Sequence, residues 1–152
     1  VEYLTVADVI SAVKIPVIAN GDIDSPEVAN NVMQQTGAAG VMIGRAAIGQ
    51  PWVFREIGTR LGFLQYQAGP SIAEKVDTMI NHLLGMHRFY GLERGVVLAR
   101  KHAGNYMARL GVAATERASV NRILDAEQQI IALRQAVLQA QSSIQTSLNL
   151  AA

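Results

Sequence analysis

The sequence predicts a chain of two kinds, an α/β opening followed by an all-α remainder. Three observations predict it. Residues 1 to about 60 alternate helical and strand-like patterns, and the strand-like runs are short and apolar without a polar alternation. Residues from 71 onward carry only helical periods. Between them, Gly62 to Pro70 has no clear period and ends in Gly69-Pro70, as a linker does. The expected domains are therefore 1–62, a linker at 63–70, and a small helical bundle at 71–152.

The elements follow in order. Thr5-Val6-Ala7-Asp8 reads as a helix start, with Val6, Val9, Ile10 and Val13 on one face. Ile15 to Ala19 reads as a buried strand. Asp24-Ser25-Pro26-Glu27 opens a second helix, with a capping residue and a proline in the first turn. Val28, Ala29, Val32 and Met33 form its inner face, and Gly37 closes it. A second strand covers Gly40 to Ile43, giving a βαβ unit of parallel strands covered on both faces. Arg45 to Gly49 is long enough for one short helical turn, and a further helix begins near Gln50-Pro51-Trp52, where Trp52 is expected to anchor core packing. Short connections and βα repetition fit either a doubly wound sheet or a (β/α)8 barrel.

Beyond the linker, Ser71-Ile72-Ala73-Glu74 is a capping box. Ile72, Val76, Met79, Ile80 and Leu83 make a helical stripe that ends near Gly91. A helix from about Glu93 to Leu110 stops at Gly111. A longer helix runs from Glu116 or Ser119 to about Gln141, with Val120, Ile123, Leu124, Ile130, Ile131, Val137, Leu138 and Ile144 inside. The Gln- and Ser-rich tail after Gln141 is expected to fray.

Composition narrows the function. The net charge of +1 over 152 residues points to no nucleic-acid or membrane partner by bulk charge, so any basic patch must be local. There is no cysteine, hence no disulfide, thiolate metal site or cysteine nucleophile in the chain. No apolar run approaches the ~20 residues of a spanning helix, and no signal peptide is visible. No metal, no membrane and a cytoplasmic location are expected. The chain opens Val1-Glu2-Tyr3 and places an apolar helix directly before a strand, which suggests a piece of a longer protein.

The chemistry-bearing residues sit where the strands end. Ligands of parallel α/β folds bind at the carboxyl ends of the strands. The first strand stops at Asn20-Gly21-Asp22, the second at Gly44-Arg45, and the βαβ connection makes them neighbours. Glycine lets backbone N–H groups approach an anion, and Arg45 adds a cationic fork suited to phosphate. The alternative is a pair of ordinary βα turns. Asp22 is placed to meet a ribityl or ribose hydroxyl instead.

A second candidate lies on the helix after Gly91. Residues 71–112 hold all three histidines and six Lys/Arg against three Asp/Glu. On a helical wheel Arg94, Lys101, Asn105 and Arg109 share one stripe with His102 at its edge, while Val96, Ala99, Ala103, Tyr106, Met107 and Leu110 occupy the other side. The residues alone leave open a solvated helix face or a phosphate-binding one. His82 and His87 are each read as packed or surface residues.

"IPVIANGDI" followed by "GVMIGRAAIGQPWVFREI", and later "ARKHAGNYM", resemble tRNA-dihydrouridine synthases, most closely the bacterial B-type subfamily. The resemblance runs from residue 5 to about residue 135. It implies the C-terminal βα units of a (β/α)8 barrel followed by a helical tRNA-binding domain. It implies an oxidoreductase that reduces uridine to 5,6-dihydrouridine in tRNA with FMN, itself re-reduced by NADPH. Asn20, Gly21, Asp22, Gly44 and Arg45 would then touch FMN, and Arg94, Lys101, His102 and Arg109 would contact tRNA phosphates. In that family a cysteine on an earlier loop protonates the uracil ring and earlier strands carry further FMN contacts, including a lysine. Neither is present here, so roughly six strands are missing, no catalytic residue is assigned, and the chain alone is expected to be inactive. Its βα part should need the missing barrel portion or self-association. The alternatives are a different FMN- or phosphate-binding barrel oxidoreductase acting on a small metabolite, and a non-catalytic RNA-binding remnant.

Overall fold

The computed structural model describes residues 2–150, the side chain of Leu150 excepted. The chain is mostly helical with two parallel strands, and it divides into two compact units, Val1–Gly69 and Pro70–Ala152.

In the first unit, α1 (Tyr3–Ala12) leads to β1 (Ile18–Asn20), α2 (Pro26–Thr36), β2 (Gly40–Met42), a 3₁₀ turn at Arg45–Ala47, and α3 (Val53–Arg60). Helix α1 starts two residues earlier than the Thr5 signal, and it packs through Tyr3, Val6 and Ile10. Val9 and Val13, expected on the inner face, are exposed. The first strand is shifted as well. Ile15 is 72 % exposed and outside the strand, because Pro16 has no N–H to give a ladder. Pairing instead runs Ile18 to Gly40, Ala19 to Val41 and Asn20 to Met42, with Ala39 N–H donating to the Val17 carbonyl at 2.9 Å.

Helix α2 begins and ends as its sequence signals. Ser25 accepts from the Val28 amide at 3.3 Å, Pro26 occupies the first turn, and Gly37 closes the helix at φ 72°, its N–H on the Met33 carbonyl. Ala29 and Val32 of α2 join Ala19, Ile23, Ala38, Val53 and Ile57 in one core. Trp52 is half-buried, and Val53 beside it is the core residue. The strands are not covered on both faces. Ala19 is buried, whereas Ile18 and Met42, on the opposite face, are 52 % and 55 % exposed. Helices α1, α2 and α3 cover only one side of a sheet two strands wide.

The second unit contains α4 (Ile72–Tyr90), α5 (Leu92–Arg109), α6 (Ala114–Val120) and α7 (Ala126–Leu150). The capping box at Ser71 forms in both directions, at 3.2 Å and 2.7 Å. Val76, Met79, Ile80 and Leu83 of α4 meet Val96, Ala99, Ala103, Tyr106 and Met107 of α5, and Leu133, Ala136 and Val137 of α7 fill the third side. Helices α4 and α5 approach closely at Gly95, where a Cβ would stand 2.7 Å from the His87 Cα.

The expected single helix from 116 or 119 to 141 is two helices. Asp125 breaks it, accepting from the Gln128 amide at 2.8 Å and so starting α7 afresh. The break resets the helical phase. Leu124, Ile131, Leu138 and Ile144, expected inside, are exposed, and Leu133, Ala136 and Gln129 are buried instead. The tail after Gln141 stays helical to Leu150, with the hydroxyls of Ser142, Ser143, Thr146 and Ser147 bonded to carbonyls one turn back.

Candidate functional site

The carboxyl ends of β1 and β2 bring the first set of residues together. Gly21 takes φ 139° and Asp22 φ 46°, so the chain turns sharply out of β1. The Tyr3 hydroxyl donates to the Gly21 carbonyl at 2.6 Å, fixing that turn to α1. At the neighbouring strand end the chain passes from Gly44 into the 3₁₀ turn, where Ala47 and Ile48 amides bond back to the Gly44 and Arg45 carbonyls. Arg45 Nη2 lies 2.8 Å from Asp22 Oδ1, so the two strand ends are side by side. Both side chains are solvent-exposed, at 89 % and 65 %. Asn20 points the same way as Ile18 and donates to the Met42 sulfur.

This arrangement suits an anion. A Cβ on Gly44 would meet nothing within 4 Å, so the space before the turn is open. An exposed ion pair contributes only about 0–1 kcal/mol. Arg45 therefore loses little by exchanging Asp22 for a phosphate, which it can grip with two parallel N–H donors.

The second set lies on α5. Arg94, Lys101 and Arg109 are exposed, and His102 and Asn105 are half-buried. The opposite side of the helix is buried at Val96, Ala99, Ala103, Tyr106 and Met107. Arg100, next to Lys101 in sequence, belongs inside, donating to the Ile123 carbonyl at 3.4 Å.

Two histidines acquire roles that the sequence left open. His87 is buried, with Nε2 2.9 Å from Gln129 Oε1, and Gln129 donates onward to the Val96 carbonyl at 3.2 Å. It ties α4, α5 and α7 together. His82 lies at the surface of α4 against α5, its ring 4.9 Å from that of His102 and its Nδ1 3.2 Å from the Tyr106 hydroxyl. Partial burial, and then the neighbouring His102, make His82 harder to protonate than an ordinary histidine. Burial likewise raises the Tyr106 pKa, so its phenol keeps its proton. Sequence spacing within one helix could not place His82 beside His102, since the pairing depends on how α4 and α5 pack.

A parallel βα unit with two polar strand ends side by side and an open, arginine-flanked turn makes this an α/β protein with its chemistry-bearing residues at the strand ends. The chain belongs to the dihydrouridine synthase family: the family model described as Dihydrouridine synthase (Dus) matches residues 1–142. It is 45 % identical over 142 residues to a tRNA-dihydrouridine synthase B of Pseudomonas aeruginosa, covering 93 % of this chain and 43 % of that protein. It is 49 % identical over 121 residues to the protein of the same name from Xanthomonas axonopodis pv. citri, covering 80 % of this chain and 36 % of that one. A third, from Vibrio cholerae, is 45 % identical over 132 residues, which is 87 % of this chain and 41 % of that protein. The chain thus spans less than half the length of each of these relatives. No described helix is long and apolar enough to cross a membrane.

Proposed function

We propose that the chain forms part of a flavin-dependent tRNA-dihydrouridine synthase, its βα unit holding the phosphate end of FMN and its helix α5 holding tRNA. One observation carries the reading. Asn20-Gly21-Asp22 and Gly44-Arg45, far apart in sequence, meet at one end of a parallel strand pair with Arg45 against Asp22. The open space at Gly44 and the exposed guanidinium fit a phosphate monoester. Backbone N–H groups at Gly21 and Gly44 bind it, Arg45 neutralises it, and Asp22, released from Arg45, accepts a hydrogen bond from a ribityl hydroxyl. FMN, when bound and kept reduced by NADPH, supplies the hydride for the uracil ring.

Arg94, Lys101, His102 and Arg109 contribute positive charge to the phosphates of tRNA, which fixes the RNA without reading its sequence. The target base must leave the RNA stack to be reduced. The chain holds no cysteine to protonate the ring, so it is not expected to complete the reaction unaided. The open face of β1 and β2, with Ile18 and Met42 exposed, is covered by further barrel strands or by a second copy of the chain.

Parallel titrations of the chain with FMN and riboflavin test the flavin site. FMN should bind at least about tenfold tighter than riboflavin, and Arg45→Ala should erase the difference. Equal affinity for the two flavins would remove the phosphate site. The exposed cations of α5 also fit a second reading, a non-catalytic RNA-binding protein. Salt-dependent tRNA binding with no flavin binding would select it.

A further inference from the structure

The two histidines at the α4–α5 contact form a polar cluster at the surface, outside the strand ends. His82 reaches the edge of the α5 cationic stripe from a different helix, with its ring 4.9 Å from His102 and tilted by 60°. Its Nδ1 is 3.2 Å from the hydroxyl of Tyr106, whose ring stands edge-on at 5.8 Å. Tyr106 is buried and comes from the packed side of α5, so its position is fixed by the core.

We propose that His82 is a further RNA-contacting residue beside His102, and that Tyr106 positions it by donating to Nδ1. The proposal rests on the reading of α5 as an RNA surface. A phenol donating to Nδ1 leaves the proton of neutral imidazole on Nε2, at the outer edge of the ring. That N–H is a donor to a phosphate oxygen without any net charge. Burial, and then the neighbouring His102, make His82 harder to protonate than an ordinary histidine, so the neutral ring is the donor.

The test is tRNA binding by the whole chain at about pH 8, above the ordinary histidine range, where the ring is neutral. His82→Ala should weaken binding by about fivefold. His82→Gln keeps a donor near Nε2, so it should bind as wild type does. Tyr106→Phe should keep the ring packing but abolish the Nε2–H preference of His82, seen in imidazole ¹⁵N shifts. If Lys101→Ala weakens binding while both His82 variants behave as wild type, the proposal fails and the RNA reading stands. If neither Lys101→Ala nor His82→Ala changes binding, both fail.

Discussion

The two units bury their apolar residues to different extents. The helical unit fills its core with large side chains, with Met79, Leu83, Met107 and Leu133 all fully buried among α4, α5 and α7. The βα unit packs Ala19, Ala29, Val32, Ala38 and Val53 with Ile23 and Ile57, and leaves Ile18 and Met42 of its sheet in solvent. Helices α4, α5 and α7 pack on three sides of one core, with Leu124, Ile131 and Leu138 left at its surface, while two parallel strands bury one face and leave the other open. The difference carries over to the candidate sites. The flavin-phosphate candidates lie on strand-end turns, anchored by Tyr3 and an exposed ion pair. The RNA candidates lie on a helix whose other face is locked in a core.

Substitutions separate the two units. The largest effect is expected from Leu83→Ala, which should cost the helical unit about 3 kcal/mol in chemical denaturation. Gly95→Ala should cost about 2 kcal/mol, although alanine normally stabilises a helix interior by about 1 kcal/mol, because its Cβ would meet the α4 backbone. A neutral Gly95→Ala would mean that α4 and α5 are more loosely apposed than described. Arg45→Ala should change stability by less than about 0.5 kcal/mol and weaken FMN binding about tenfold. Ser71→Ala should cost about 1 kcal/mol through the lost cap, with no effect on either ligand. Lys101→Ala and Arg109→Ala should each lower the slope of log affinity for tRNA against log salt by about 1, with little change in melting temperature.

Local signals in the sequence predicted local structure well. Ser25 with Pro26, the Ser71–Glu74 box, and Gly37, Gly91 and Gly111 mark real helix ends. The buried side of α5 was legible because eighteen residues of uninterrupted helix keep one phase. The same reasoning failed after Gly111, because Asp125 restarts the helix and no periodicity carries across such a break. It failed at Ile15 because an apolar run beside a proline satisfies the pattern of a strand without supplying its hydrogen bonds. The convergence of Gly21 and Gly44 was legible from βαβ topology. The Asp22–Arg45 pair and the His82–His102 contact were not, since each depends on side-chain positions set by tertiary packing.

Amide chemical shifts of the whole chain, followed during titration first with FMN and then with tRNA, test the division of labour most directly. FMN should move the amides of Gly21, Asp22, Gly44 and Arg45 and leave α5 still, while tRNA should move Arg94, Lys101, His102 and Arg109. Shifts from FMN that fall on α5, or that spread evenly over both units without reaching Gly21 and Gly44, would contradict the assignment.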